Sequence, residues 1–358
     1  MFIPSSLYNL KTSRIQYIDF FAPQIKKRTN RKWFKNNLDS DFNHKNILFK
    51  ILLSSSCFLY TALKFYKGGT LQIFNVIYEN RIDNIKKVKK MSKTDALYKE
   101  ILLKKVVRFD DIVNLAEKTL ERDFDRSYIS NIYVHNLLRS NRLKRIRRGL
   151  YAAIPPTESD PIVDKLLIAS KIRENYYLGF HTALEYLGCA YSAHNEAYTC
   201  VKPERRFTAF AFRNHTFKPV FTSDLETEID EKEYRGHTIR ISSKERTFVE
   251  CLDRVDYAGG WEEALKSLEN LGGLDFQKIR DLLIQTNKQV LVRKIGFVLE
   301  LLKERSIFYE HLSESTLEEI EKEVHGAPTY LIRNMRGPLN TRWRLYIPEG
   351  FEEKLRGV

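Results

Sequence analysis

The sequence predicts an α+β protein, an N-terminal winged helix-turn-helix followed by a mixed α/β C-terminal domain. Three helical segments follow one another between Lys93 and Ser140. A short, strongly basic hairpin comes directly after them. Beyond Pro156, strand-like runs alternate with amphipathic helices to the end of the chain.

The first helix fits Lys93 to Val106, with Ala96, Leu97 and Ile101 on one face and Leu102 to Val106 a turn later. The second fits Asp110 to Leu120, with Asp110 or Asp111 near its N-cap and Ile112, Val113, Leu115 and Ala116 inward. The third fits Arg126 to Ser140 and is entered through Asp125, with Ile129, Tyr133 or Val134, Leu137 and Leu138 as its core stripe. The hairpin follows in "RLKRIRRGLYAAIPP", where Leu143 to Ile146 and Leu150 to Ala153 are the arms. Arg147-Arg148-Gly149 is the flexible, positively charged turn.

In the winged helix-turn-helix plan the last helix enters the major groove with its N-terminal residues at the base edges. The exposed candidates here are Arg126, Ser127, Tyr128, Ser130 and Asn131. Arg and Asn can pair bidentately with guanine and adenine, whereas Ser and Tyr more often hold phosphate. Lys144, Arg145, Arg147 and Arg148 of the wing would meet the adjacent backbone or minor groove. The alternative is a solvated hairpin in a domain that uses its winged helix for protein contacts.

Global charge is a poorer guide than this cluster. The 358 residues carry a formal charge of +14, but residues 1–90 hold 17 Lys and Arg against 5 Asp and Glu, leaving 43 basic and 41 acidic residues for 91–358. Those first 90 residues are rich in Lys, Asn, Ile, Phe and Tyr and show no sustained amphipathic period, so they read as an atypical basic extension, disordered or not native. Met91 is then the expected start of the folded protein. Ile47 to Phe65 is long enough to consider as a membrane anchor, yet Lys50, three serines and Lys64 interrupt it, and a cytoplasmic protein without membrane partners is expected. Cys57, Cys189, Cys200 and Cys251 form no C-x-x-C pair and no metal-like spacing with the histidines. They read as reduced thiols, with no metal and no cofactor.

The domain boundary is placed near 156, after Pro155-Pro156, with Asp160-Pro161 as cap and first turn of a helix over "PIVDKLLIASKI". A small helix from His181 to Leu187 closes on Gly188, and His181 reads as a helix-start or core histidine because no nucleophile or carboxylate partner stands beside it locally. Strands are expected in "EAYTCV", "RFTAFAF", "HTFKPVFT" and, around the reversal at Arg235-Gly236, "EYRGHTIRIS". Lys202, Arg205, Arg206 and Arg213 cluster about them and could extend a DNA track or receive an acidic partner. Ser242-x-x-Glu245 reads as a capping box, and Gly259-Gly260 as a turn before a helix. Helices at about 275–286, 288–304 and 315–324 precede a closing strand pair, "TYLIR" and "RWRLYIP", with Trp343 in the core. No phosphate-binding P-loop or dinucleotide fingerprint is present, and Glu352-Glu353-Lys354 lacks the acidic strand a nuclease needs. No catalytic residue is assigned and an enzyme is not expected.

The order and spacing of "NLLRSNRLKRIRRGLYAAIP", "YYLGFHTALEYLG", "HTIRISSKERTFVECLDRVDYAGGWEEAL" and "KIGFVLELL" resemble the AbiEi family of transcriptional regulators, the antitoxins of type IV toxin-antitoxin systems. The resemblance covers about residues 91 to 350. It implies a winged helix that represses its own operon by binding operator DNA. It also implies a C-terminal domain over 156–358 that counters a nucleotidyltransferase toxin without forming a stable complex with it, and it draws attention to Arg246 and Asp253 on their helix. The chain lacks the Gly-Ser and spaced acidic pair expected of the toxin itself.

Because the apolar periodicity begins only after Met91, a chain starting there should unfold in one cooperative transition and bind DNA as the whole chain does. Thermal denaturation of the shortened protein checks this, and a non-cooperative melt counts against it.

Overall fold

A computed structural model describes residues 92–351. The basic extension over 1–90, Cys57, the apolar stretch at 47–65 and Glu352 to Lys354 lie outside the described residues. Among those described, no helix is long and apolar enough to cross a membrane.

The architecture is α+β, with helices packed around three separate sheets. Helix α1 (Lys93–Lys104) is capped by Ser92, whose Oγ accepts from Asp95 N at 3.0 Å. It stops earlier than the periodicity predicts. Lys105 takes a positive φ of 59°, and the β-branched pair behind it leaves the helix for strand β1 (Val106–Arg108). Helix α2 (Phe109–Leu120) begins one residue before the expected start, with Arg108 at the cap and both aspartates next to it in the first turn, as expected. Asp111 acts from the third position, accepting from Arg108 N at 2.9 Å.

The third helix, α3, is built from Arg126–Tyr128, a π-helical turn Ile129–Val134, and His135–Arg139. Asp125 caps it as expected, accepting from Ser127 N at 2.6 Å and Tyr128 N at 3.3 Å. Ile129, Tyr133 and Leu137 recur every four residues and are all buried. In a regular α-helix that spacing drifts around the axis, and the wider π turn holds it on one face.

Strands β2 (Leu143–Arg147) and β3 (Leu150–Ala153) form the predicted hairpin around Arg148-Gly149, with Gly149 at φ 77°. Strand β1 adds to its far side, giving the order β1-β3-β2. Leu150 and Ala152 enter one apolar cluster with Leu166, Ile168, Phe207 and Phe217, whereas Tyr151 and Ala153 enter another with Leu97, Ile112 and Leu137. The apolar packing therefore runs across the boundary expected at 156. The following helix, α4 (Lys165–Ala169), starts later than predicted: Asp164 caps it, accepting from Leu167 N at 2.9 Å, and Asp160 is left for other contacts.

The largest sheet has six strands in the order β6-β7-β5-β4-β9-β8. These are β4 (Tyr177–Leu178), β5 (Glu196–Val201), β6 (Phe210–Phe212), β7 (His215–Phe221), β8 (Ile229–Tyr234) and β9 (His237–Ser242). Pairs β5/β7 and β4/β9 are parallel. Strand β4 is too short to stand out in the sequence, and β8 begins in the acidic segment ahead of the expected "EYRGHTIRIS" strand. Helix α5 (Phe180–Leu187) ends on Gly188 at φ 73°. Helix α6 (Lys244–Asp253) is capped by Ser243 and not Ser242, which ends β9. Arg246 is buried and braces α6 to the sheet, donating to Glu250 Oε1 at 2.9 Å, the Tyr177 hydroxyl at 2.8 Å and the Asp224 carbonyl at 2.9 Å. Asp253 accepts from Lys288 at 2.7 Å. Both have structural partners.

A helical layer follows: α7 (Trp261–Glu269), α8 (Phe276–Thr286), α9 (Gln289–Arg305) and α10 (Glu314–Lys322). It closes on a small sheet of β10 (Thr329–Tyr330), β12 (Leu345–Tyr346) and β11 (Leu339–Asn340), in that spatial order. Trp343 is fully buried and donates its indole N–H to Glu300 at 2.6 Å. Its ring lies flat against Gly296 of α9, where a Cβ would overlap it. Gly296→Ala should therefore destabilise the fold by about 1–3 kcal/mol, the usual cost of overpacking a filled core. Urea unfolding measures it, and an unchanged midpoint would show that Trp343 is free to move aside.

Candidate nucleic-acid interface

The residues singled out on α3 share an outer face. Arg126, Ser127, Tyr128 and Asn131 are exposed and Ser130 is half-buried. The exposed stripe then continues through Ile132, His135, Asn136 and Arg139, again at steps of four. These last four were not singled out from sequence, although the spacing of the buried residues implied the complementary stripe. Two of the candidates are held locally. Arg126 pairs with Asp110 and lies 5.1 Å above the Phe109 ring, and Tyr128 stacks on Phe124 at 5.7 Å. The Arg126–Asp110 pair is solvent-exposed on both sides, so exchanging it for another anion costs little.

The wing differs from expectation in one respect that matters. Pairing puts Leu143 opposite Ala153, Lys144 opposite Ala152 and Arg145 opposite Tyr151. An irregularity then inserts Ile146, so that Arg147 faces Leu150. Such a bulge resets the alternation of side chains. Arg147 consequently shares the face of Leu150 and turns toward the large sheet, 4.7 Å from the Phe210 ring and 5.7 Å from Phe207. Burial pulls its pKa below the ordinary arginine range, and its Nη1 is enclosed without a hydrogen-bond partner. Arg147 is therefore a packing residue, not the exposed tip cation that the sequence suggested. Arg148 occupies the tip and is exposed, as are Lys144 and Arg145.

The second cluster lies beside the wing. Asp160 accepts from Lys144 of β2 and from Arg213 at the β6–β7 turn, and these bonds hold its carboxyl below the usual range. Arg213 also donates to the Pro161 carbonyl at 2.6 Å. Arg173, 5.5 Å above Phe207, bonds the carbonyls of Arg205 and Arg206 at 2.8 Å each, fixing the turn that exposes Lys202, Arg205 and Arg206. One acidic residue thus ties both basic groups together while neutralising part of their charge.

A different cluster brings together ligand-type side chains. His181, His194 and Glu263 place donor atoms within 4.8 Å of one another. The two imidazoles are stacked at 3.7 Å and 6°, so their in-plane lone pairs run side by side and do not converge as a tetrahedral ion requires. Glu263 already accepts from Ser192 N at 2.9 Å, Ser192 Oγ at 2.7 Å and His181 Nε2 at 3.0 Å. Glu263 thereby joins α5 to α7, and Glu185, one turn along α5, lies 3.5 Å from His181 Nδ1, so a carboxylate does stand beside His181 in the local sequence, contrary to expectation. Cys189, Cys200 and Cys251 are buried free thiols.

No protein-family profile matches the chain, and no curated protein matches it. Its fold is similar to that of the RV2827C protein from Mycobacterium tuberculosis, at a TM-score of 0.51 and 12% sequence identity over 74% of this chain and 95% of that one. At that identity the likeness concerns the fold alone.

The two arginines of the wing turn should separate in denaturation. Arg147→Ala removes a partly desolvated cation–π stack and should cost about 1 kcal/mol or more, whereas Arg148→Ala should stay within about 0.5 kcal/mol of the parent. Equal losses in the two variants would contradict the inward placement of Arg147.

Proposed function

We propose that the chain is a DNA-binding transcriptional repressor of the AbiEi type. In this reading residues 91–155 are a winged helix-turn-helix that recognises the operator of its own operon. The C-terminal domain adds DNA contacts and antagonises a nucleotidyltransferase toxin without a stable complex, so that the protein is a cytoplasmic type IV antitoxin with no catalytic role and no cofactor. The observation that carries the DNA-binding reading is the outward stripe of α3, with Ser127, Asn131 and Arg126, standing beside a hairpin that exposes Lys144, Arg145 and Arg148. A base-reading helix flanked by phosphate-holding cations is what duplex recognition requires. The antitoxin part rests on the family resemblance.

The same stripe favours a second reading. Tyr128 and Ile132, one turn apart, are 47% and 41% exposed, and an apolar pair on an outer helix face suits a protein partner. Salt separates the two readings, since phosphate contacts release counterions and an apolar interface responds weakly.

Selected duplex sites and random duplexes give the test. Arg148→Ala should weaken both alike and lower the slope of log K against log salt by about 1. Asn131→Ala should weaken the preferred site by about 1–3 kcal/mol and relax base preference at one position. Equal loss on every sequence for both variants would reject base reading by α3. In cells, the Arg148→Ala protein made from an unrelated promoter should lose repression yet still rescue growth from the adjacent nucleotidyltransferase. A tight co-purifying complex would indicate direct neutralisation instead.

A further inference from the structure

The small sheet at the end of the chain presents an aromatic row, and the segment that forms it carries exposed arginines. Register aligns Tyr330 with Tyr346 and Tyr346 with Leu339, one lateral row across β10, β12 and β11. Thr329, Leu345 and Asn340 form the neighbouring row. Leu345 is buried in the helical core, so the pleat turns the tyrosine row outward. Tyr330 and Leu339 are each 41% exposed, and the two tyrosine rings lie 5.1 Å apart at 32°. Met335, in the loop between β10 and β11, is exposed beside them in sequence.

Charge along this segment of the chain has one sign. Between Glu323 and Glu349 the chain contains no Asp or Glu, but it contains Arg333, Arg336, Arg342 and Arg344. Arg342 is consumed by Glu300 at 2.7 Å, Glu314 at 2.7 Å and Glu321 at 2.9 Å. Arg344 is exposed and, among the described residues, donates to the Gly326 carbonyl at 3.0 Å and forms no ion pair. Arg333 and Arg336 are exposed and form no ion pair among the described residues.

We propose that this face is a binding surface for single-stranded nucleic acid, separate from α3 and the wing. Tyr330 and Tyr346 offer flat rings on which unpaired bases stack, and Arg333, Arg336 and Arg344 take the phosphates. Duplex DNA keeps its base faces inside the helix and cannot use the row. The two classes of nucleic acid are therefore sorted to different parts of the chain. The border of unpaired cations favours a polyanion over an apolar protein surface.

The test uses the full chain and a fluorescein-labelled oligo-dT of about twelve nucleotides. Tyr330→Ala should lower its affinity about tenfold, the loss expected for one stacked base, while Tyr330→Phe retains it. Arg333→Ala with Arg336→Ala should reduce the salt slope by about 1.4, two phosphates on a single strand. Duplex binding should be unchanged in all of them. Bromodeoxyuridine strands crosslinked to the unaltered protein should attach within 329–346. Undiminished oligo-dT binding by Tyr330→Ala, parallel loss on duplex and single strand, or crosslinks confined to other segments would overturn the proposal. Asn131→Ala keeps the two readings distinguishable, because it acts on duplex alone.

Discussion

Strand β3 is buried on both faces, and the positions of the other elements follow from that. Its four residues, Leu150 to Ala153, alternate between two apolar clusters: one closed by the three helices, the other by the large sheet and α4. A half-exposed hairpin would have polar residues at every second position. Here the second positions are Ala152 and Leu150, small enough or apolar enough to sit against Leu166 and Phe207. The hairpin is a wall common to both cores, and its basic arm β2 is held at the rim of that wall, where Lys144, Arg145 and Arg148 remain in solvent.

The bulge in β2 divides the basic cluster between two roles. Arg145, opposite Tyr151, stays on the side of the helices, 5.9 Å from the Tyr151 ring. Arg147, one step beyond the irregularity, is on the side of Phe207 and Phe210. Charge and packing are thus interleaved along five residues, and Asp160 adds an ionic link between Lys144 and Arg213 across the same seam.

Much of this was legible in the sequence. Caps at Asp125 and the glycine stop at Gly188 were read from residue chemistry, as were the hairpin arms, the Arg235-Gly236 reversal and the long helices near the C-terminus, because each rests on contacts within a few residues. What could not be read depends on partners distant in the chain. Val106 and Val107 continue a helical apolar pattern and become a strand only because Ala152 and Tyr151 pair with them. Arg147 looks like its neighbours until a register shift, invisible in composition, turns it inward. Glu263, which accepts from His181, is 82 residues away, although a second carboxylate, Glu185, stands one turn along the same helix and could have been read. On α3 the buried stripe at steps of four was written in Ile129, Tyr133 and Leu137, and its exposed complement in Ile132, His135 and Arg139 follows from the same spacing, though it was not singled out.

A hairpin that contributes side chains to two cores cannot be treated as an exchangeable cassette. Grafting the first three helices and wing onto a different effector domain would leave Ile146, Leu150 and Ala152 without cover, and replacing the wing with one of another length would disturb the large sheet as much as the rim. On the DNA-binding reading proposed above, retargeting would act on the outer positions of α3, Ser127, Asn131 and His135, which are exposed. In this chain, the substitutable part of the exposed surface is the part that no second core has recruited.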